Sequence, residues 1–419
     1  MPYLFLVSIG PVQSFIASAR RTRDLWFGSQ LLSELSKAAA RRIADADLHR
    51  LIFPAPETLA MLEPSSSLNV ANKIVASIDD DLSMQDLDEL GTQVKQAIDD
   101  RLHEIRDRMY QAVGTGRLDR EIADQQIDDL VEYSWVAVPV ENGAAYAERR
   151  RQLEAVMAAR KNTRDFLPVA WGSSRPKSSI DGQLESVLPD DLYPWKSLPS
   201  EQRQARSRNR YTYFRAGPVE QLSGVDLLKR RGTFIQQANS SSTGRGGGTD
   251  FLSTSHIATA PYLHLLETLS EEQKDEARRG WGRYIDHVKK VAGSEAVESI
   301  GIEGYEANAV LDRYDGGNFF LERILESAIP KGSANGEESL STVQQALENF
   351  YRYVDECTGT HSRPSTYYAI LQADGDSMGQ MINRQAQGEG GMERHRAISR
   401  ALDTFANEVR AIVQEHKGA

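Results

Sequence analysis

Two aspartates near the end of the sequence carry its clearest chemical signal. Asp374 and Asp376 stand in the run Asp374-Gly375-Asp376-Ser377-Met378-Gly379, directly after the apolar segment 367–373. An apolar, aromatic segment of this length predicts a buried strand. Carboxylates at a strand tip are hard oxygen ligands of the kind Mg²⁺ prefers, and glycines let the backbone approach a phosphate closely. The pattern is therefore typical of a site for Mg²⁺ and a nucleoside triphosphate. A purely structural interpretation stays open, in which the two carboxylates form an acidic turn with a helix N-cap.

The composition indicates a globular protein of two to four domains. The chain has 419 residues, of which 40% are hydrophobic and 26% charged, and it contains no apolar run of about 18 residues. Residues 1–8 lack a basic leader and predict a first strand instead of a signal peptide. The single cysteine, Cys357, excludes an intrachain disulfide and a four-cysteine zinc site. We therefore expect a cytoplasmic protein.

The net charge of −11 argues against a general nucleic-acid coat, because phosphate binding requires an excess of Lys and Arg. Two local arginine clusters, residues 20–23 and 203–210, remain candidates for a basic face. The alternative for each is a solvated helix face or loop.

Strand and helix patterns alternate in the first part of the chain. The nearly all-apolar residues 3–9 predict a central strand that Gly10-Pro11 ends, and a helical pattern follows from Val12 to about Asp45. Further strands are predicted at residues 51–53, 70–78 and 135–140, with helices between them. This order is typical of a split βαβ, ferredoxin-like unit.

The rest of the chain changes character twice. Ser, Arg, Gly and Pro accumulate over residues 165–250, and residues 251–356 have a mostly helical pattern. A strand is predicted at 367–373, and apolar residues at 398, 402, 405, 409 and 412 predict a final helix. Because the chain opens and closes with strand, glycine turn and helix, we infer an incomplete internal duplication.

Four segments, in the same order, resemble one protein family. They are the opening run 7–16 (VSIGPVQSFI), residues 222–230, residues 251–258 and residues 367–379. Together they resemble the large subunit of type III CRISPR effector complexes, of the Cmr (III-B) subtype. Members of this family carry two palm domains related to nucleotide cyclases (GGDEF-like) and polymerases.

The resemblance implies an α+β fold with four parts. These are a ferredoxin-like first palm at 1–165, a bridging region with a degenerate zinc-binding segment at 166–250, a helical middle domain at 251–360, and the first strand and helix of a second palm at 361–419.

The resemblance also implies the site residues. Asp374 and Asp376 would be catalytic carboxylates that hold Mg²⁺ or Mn²⁺, with the Gly375 carbonyl as a further ligand. The amides of Ser377, Met378 and Gly379 would receive the phosphates of ATP. Other candidate contacts to a nucleotide are Gln13, Ser14 and Ser253; the alternatives are helix capping by Ser14 and turn chemistry at Ser253.

Three departures from the family pattern qualify these expectations. The chain has no His-Asp dipeptide, so an HD-type nuclease site is not expected. The stretch that matches the family's cysteine-rich zinc segment, residues 177–182, contains no cysteine, so we expect no zinc. The Gly-Gly-Asp-Asp hairpin of the second palm is absent, which predicts that the sequence is truncated before it.

We therefore expect a subunit of an RNA-guided antiviral complex. Its intact form would make cyclic oligoadenylate from ATP when target RNA pairs with the guide, and its partners would be the other subunits, guide RNA and target RNA, but no membrane. The alternative is a non-catalytic scaffold subunit of the same kind of complex. A nucleic-acid polymerase fits less well, since the chain is acidic and no long basic groove is evident.

Overall fold

The computed structural model describes residues 2–64, 66–78, 82–114, 116–140, 145–163, 174–234, 252–301, 306–328, 334–370 and 377–415. Asp374, Gly375 and Asp376 lie outside the described residues. No helix among the described residues is long and apolar enough to cross a membrane.

A four-stranded antiparallel sheet organises the first part of the chain. Its strands are β1 (Tyr3–Gly10), β2 (Leu51–Phe53), β3 (Lys73–Ile78) and β4 (Glu132–Pro139). The spatial order is β2-β3-β1-β4, with β1 paired to both β3 and β4. Since β1 is central, Leu4 to Val7 are fully buried, which explains why this strand is apolar on both faces. This order confirms the predicted ferredoxin-like arrangement.

Helices cover both faces of the sheet. On one face, α2 (Thr22–Ala44), α3 (Met84–Val113) and α4 (Arg120–Asp128) pack with β1 and β3 in a single core. The other face holds a smaller core in which Leu153 and Met157 of α5 (Tyr146–Asn162) cover Leu4 and Leu6. The fold class is therefore α+β, as predicted.

The helix predicted from Val12 to Asp45 is broken into two. A short helix, α1 (Gln13–Ala17), precedes α2, and residues 18–21 between them are not helical. The Nζ of Lys229 donates to the carbonyls of Phe15, at 2.9 Å, and Ser18. Because a side chain 214 residues away takes these carbonyls, the local pattern gave no sign of the break.

The region predicted as a bridge contributes to the core that surrounds the sheet. It contains α6 (Ser200–Phe214) and α7 (Gly224–Arg231). Val187, Phe214, Leu227 and Phe234 are buried in the same cluster as Phe5 and Val7. The boundaries between the four predicted parts stay a prediction.

The middle of the chain is helical, as predicted. Its helices are α8 (Thr254–Glu267), α9 (Glu271–Ala292), α10 (Leu321–Ala328) and α11 (Ala334–Thr358). Trp281 of α9 packs against Phe319 and against Phe350 of α11 at ring centroid distances of 4.5 and 5.6 Å. The apolar face of α11 is buried here at Val343, Leu347 and Val354.

The last part of the chain differs from the predicted strand. Residues 364–370 have no regular structure, and Tyr367 and Ile370 are 88% and 79% exposed. An apolar strand is stable only beside a partner that takes its backbone hydrogen bonds, and all strands among the described residues belong to the first sheet. Two helices follow, α12 (Met378–Gln385) and α13 (Gly391–Glu415).

Candidate nucleotide site

The turn after β1 presents two of the predicted nucleotide contacts to solvent. Gln13 and Ser14 are both exposed, at the start of the five-residue helix α1. Val12 occupies the N-cap position, and no side chain caps this helix, so the alternative role of Ser14 as a cap is not observed. Phe15, only 4% exposed, anchors the helix to the core. Both polar side chains are therefore available to a ligand.

A buried lysine fixes the far end of this turn. The ammonium of Lys229 lies 4.7 Å from the centre of the Phe15 ring and binds the carbonyls of Phe15 and Ser18. Burial lowers the pKa of Lys229, and the carboxylates of Asp226 and Asp24 partly oppose this effect. The arrangement binds α7 to the turn that carries Gln13 and Ser14.

A carboxylate that sequence reasoning missed stands beside this turn. Glu132 begins β4, is exposed, and pairs with Gly10 at the end of β1. The turn itself, residues 10–14, contains no acidic residue. The pairing of two strands distant in sequence adds one carboxylate, a neighbour that no local motif reveals.

The arginines at positions 20–23 bind backbone carbonyls. Arg23 donates to the carbonyls of Lys229 (3.1 Å), Arg230 (2.6 Å) and Gly232 (3.0 Å), which lie at the end of α7 and lack helical partners. Arg20 and Arg21 donate to the carbonyls of Ser179 and Arg215. Arg23 therefore holds the end of α7, and Arg20 and Arg21 bind neighbouring loops, so the cluster is not a free basic face.

A buried ion triad completes the attachment of α7 to α2. The Nε of Arg230 lies 2.9 Å from both carboxylate oxygens of Asp24, and its Nη1 and Nη2 each lie 3.2 Å from Glu220. Burial acts to lower the pKa of Arg230, but the two carboxylates outweigh it and raise the pKa. Burial likewise acts to raise the pKa of Glu220, and Arg230 outweighs it, so that pKa is lowered.

The arginines at 203–210 are also partly structural. Arg210 is fully buried and lies over the ring of Tyr193 at 5.4 Å. Burial lowers its pKa to about 10, against the opposing effect of Tyr193 and Glu220. Arg206 donates to the carbonyl of Tyr193 at 3.0 Å. The cluster is thus not an open basic stripe.

Ser253 is engaged as a helix cap. Its hydroxyl accepts from the amide of His256 at 2.9 Å, as the N-cap of α8, and donates to Asp315 at 2.8 Å. Burial, reinforced by Glu298, raises the pKa of Asp315, and burial lowers the pKa of His256. The His256 Nδ1 accepts from the amide of Gly316 at 2.8 Å. The structure therefore supports the turn role of Ser253.

The described part of the second-palm loop begins at Ser377. This residue precedes α12 with a left-handed backbone, at φ 58°, and its side chain does not cap the helix. Ser377 and Gly379 are exposed and Met378 is half-buried. The placement of Asp374, Gly375 and Asp376 lies outside the described residues, so their role as ligands stays a prediction.

The last helix docks on the first palm through its amino-terminal half. His395 of α13 stacks on Phe53 of β2 at 5.7 Å and shares a 2.7 Å hydrogen bond with Tyr146 of α5. Ser399 accepts from the amide of Ala55 at 3.0 Å, and Arg396 donates to the carbonyl of Leu51 at 3.0 Å. Burial, and then the charge of Arg150, lower the pKa of His395 to about 4.

The predicted contacts are placed on three different elements. Gln13 and Ser14 lie on α1, Ser253 begins α8, and Ser377 precedes α12. Within the described ranges, no group of three or more His, Cys, Asp and Glu side chains is arranged to hold a metal ion.

Comparison with known proteins gives matches at both ends of the chain. The family model described as "CRISPR-associated protein Cmr2, N-terminal" matches residues 4–107. The model described as "Cas10/Cmr2, second palm domain" matches residues 367–419. These segments cover β1 to most of α3, and the region from Tyr367 to the end. No curated protein matches the chain.

Solved structures give weaker likenesses. A chain of the type III-B Cmr-beta complex in its apo state has 15% identity and a TM-score of 0.43, over 66% of this chain and 37% of that one. A chain of the type III-B Cmr-beta complex bound to cognate target RNA has 14% identity and a TM-score of 0.45. That match covers 82% of this chain and 43% of the other. The chain thus spans less than half the length of either.

Proposed function

We propose, from the premise that this chain belongs to the Cmr2/Cas10 family of CRISPR large subunits, that the intact protein synthesises cyclic oligoadenylate from ATP. The observation that carries the proposal is the second-palm match at residues 367–419, which contains the Asp374-Gly375-Asp376 run immediately before α12. In this reaction the 3′-hydroxyl oxygen of one nucleotide attacks the α-phosphorus of another. A new P–O bond forms, and pyrophosphate leaves.

The acidic run has the donor set that this chemistry requires. Asp374 and Asp376 are carboxylates one residue apart, and hard oxygen donors suit Mg²⁺ or Mn²⁺. When bound, the ion neutralises charge on the phosphates and lowers the pKa of the attacking hydroxyl. Gly375 has no side chain to obstruct a phosphate, and the amides of Ser377, Met378 and Gly379 precede or begin α12, where backbone N–H groups are unpaired.

The first palm supplies a second nucleotide contact in this proposal. Gln13 and Ser14 are exposed on a turn that Lys229 holds from inside the core. Their amide and hydroxyl groups can donate to and accept from a ribose or a base without the cost of breaking an existing bond. Ser253, by contrast, already uses its hydroxyl with His256 and Asp315, and would contact nucleotide only by exchanging one of these partners.

The partners follow from the same family placement. The chain would act within a type III-B complex with the other subunits, guide RNA and target RNA, where target binding controls synthesis. The alternative is a scaffold whose palms serve assembly alone. The contacts of α13 with β2 and α5 would join the two palms in either case.

Nucleotide binding by the 419-residue chain tests the proposal. Titration calorimetry with ATP and Mg²⁺ should show weak binding, and Asp374→Ala should weaken it at least about tenfold, roughly 1.4 kcal/mol. Glu389→Ala is the matched control, since this exposed carboxylate lies in the same part of the chain, between α12 and α13. Equal loss in both variants, or no loss with Asp374→Ala, would reject the site. Absence of ATP binding together with normal assembly into the complex would favour the scaffold.

A further inference from the structure

The zinc site that the family implies does not fit the residues of this chain. Structural zinc is held by cysteine thiolates and histidines, but the one cysteine, Cys357, lies on α11. The stretch that resembles the zinc segment, residues 177–182, contains no cysteine or histidine and has Ser178 and Asp181 instead. The structure shows what these residues do instead.

Two turns with the same Ser-x-x-Asp spacing meet in the fold. In the first, the Ser178 hydroxyl accepts from the amides of Ile180 (2.9 Å) and Asp181 (3.3 Å). In the second, Ser223 caps α7, accepting from the amide of Asp226 at 3.1 Å while Asp226 accepts from the Ser223 amide at 3.0 Å. A two-residue spacing is also that of Cys-x-x-Cys, because it lets both side chains of one turn reach a common point.

Two serine hydroxyls converge on one carboxylate oxygen of Asp226, and Asp181 lies next to one of them. Oδ2 of Asp226 accepts from the Ser178 hydroxyl at 2.6 Å, and the Ser223 hydroxyl lies 2.8 Å from the same oxygen. The Ser223 hydroxyl is also 3.5 Å from Oδ2 of Asp181. Ser178, Ser223 and Asp226 are 4%, 0% and 2% exposed, so the bonds to Asp226 form in the protein interior. Buried polar groups that are fully hydrogen-bonded specify one packing arrangement.

We propose that Ser178, Asp181, Ser223 and Asp226 form a metal-free clasp, which fastens the loop of residues 176–186 to α7 by hydrogen bonds in place of the zinc that the resemblance implies. The clasp acts at the beginning of α7, and the contacts of Arg23 and Arg230 act at its end. Helix α7 in turn places Lys229 against the turn that carries Gln13 and Ser14. The clasp thus orders the first palm without a cation, and this holds whether or not the nucleotide site is functional.

Metal content is the first test, on the natural chain. Elemental analysis should find no stoichiometric metal, and dialysis against a chelator should leave the Tm unchanged. A bound metal whose removal lowers the Tm would overturn the proposal.

Cysteine replacement tests the geometry. In a Cys357→Ser background, the combined changes Ser178→Cys, Asp181→Cys, Ser223→Cys and Asp226→Cys should create a site for one Zn²⁺ or Co²⁺ per chain. Co²⁺ should give the visible absorption of a tetrahedral thiolate site. The control places Ser83→Cys and Asp86→Cys in the same background, because that exposed capping box has the same spacing but no second turn, and it should not retain stoichiometric metal. A folded four-cysteine variant without the Co²⁺ spectrum would contradict the convergence.

Single substitutions keep the proposal testable if the four-cysteine variant does not fold. Ser178→Ala leaves the buried carboxylate of Asp226 and two part-buried amides short of a partner, and should lower the Tm by at least about 4 °C. Ser83→Ala removes only an exposed cap, and should lower it by no more than about 2 °C. Equal effects of the two changes would count against the clasp.

Discussion

At the scale of single residues, buried charges fasten the bridging region to the first palm. Arg230 has its guanidinium between Asp24 and Glu220 with almost no exposure, and Lys229 is similarly enclosed. Such groups are tolerated only when each is paired, since an unpaired buried charge is strongly unfavourable. The arginine clusters that the sequence offered as a nucleic-acid face are therefore better explained as attachments between segments.

Removal of Arg230 should destabilise the fold, because it breaks the buried triad with Asp24 and Glu220. Arg230→Met leaves Asp24 and Glu220 buried and close together, and we expect a loss of about 3–5 kcal/mol in the free energy of unfolding. Urea unfolding measures it. The control, Arg279→Met, removes an exposed partner of Glu276 and should leave the free energy of unfolding nearly unchanged, because solvent screens that pair. Similar losses in both variants would show that the triad has no special role.

The docking of α13 should weaken in acid because of His395. Its pKa of about 4 lies below the ordinary value of 6.5. As the pH falls through 6.5, the unfolded chain takes up a proton that the folded state refuses, so stability is present above pH 6.5 and is lost down to about pH 4. The loss should be on the order of 3 kcal/mol, since each pKa unit corresponds to about 1.36 kcal/mol.

A pH series of thermal unfolding, compared with His395→Asn, isolates this contribution. In His395→Asn, the Tm should fall less between pH 6.5 and pH 4 than in the natural chain. His361→Asn changes an exposed histidine, and its Tm should depend on pH as in the natural chain. If the Tm of His395→Asn depends on pH as in the natural chain, the imidazole is not buried in its neutral form.

At the scale of secondary structure, close approach of α4 and α7 depends on a glycine. A Cβ at Gly224 would lie 2.8 Å from Cα and 2.9 Å from the carbonyl oxygen of Ala123, and both are backbone atoms that cannot turn aside. The Gly224 amide also donates to Gln126 at 2.7 Å. The beginning of α7 is therefore fixed from two sides, by α4 and by the clasp.

Gly224→Ala should force these helices apart. We expect a loss of about 1–3 kcal/mol, typical of overpacking in a filled core. Gly282→Ala is the matched control, because its Cβ would meet no atom within 4 Å on helix α9, and it should stabilise by about 0.5–1 kcal/mol. Thermal unfolding measures both changes. A lower Tm for Gly224→Ala and a higher Tm for Gly282→Ala support the close contact, and an unchanged Tm for Gly224→Ala would contradict it.

At the scale of the whole molecule, the features that could be predicted from the sequence are those that depend on residues close together in the chain. All strands of the first sheet were expected, because each is a short apolar run between breakers. The helix break at residues 18–21 was missed, since Lys229 causes it from a distant segment. The clasp was missed for the same reason, as 48 residues separate Ser178 from Asp226. The strand predicted from Tyr367 is exposed coil over 367–370, because an apolar run predicts a strand without showing whether a partner is there.

These 419 residues should bind ATP without converting it to oligoadenylate. A palm site needs carboxylates from two neighbouring strands to hold two cations about 3.5–4 Å apart. The sequence offers Asp374 and Asp376 but contains no Gly-Gly-Asp-Asp hairpin to supply the second set. We therefore expect ATP binding without oligoadenylate synthesis, even with partner subunits and target RNA present. Chromatography of the reaction products with radiolabelled ATP measures this.

A version extended through such a hairpin, with its Asp374→Ala variant as the control, should restore synthesis only when Asp374 is intact. Cyclic oligoadenylate from residues 1–419 alone would contradict the prediction, because the second cation would then need a ligand elsewhere in the chain.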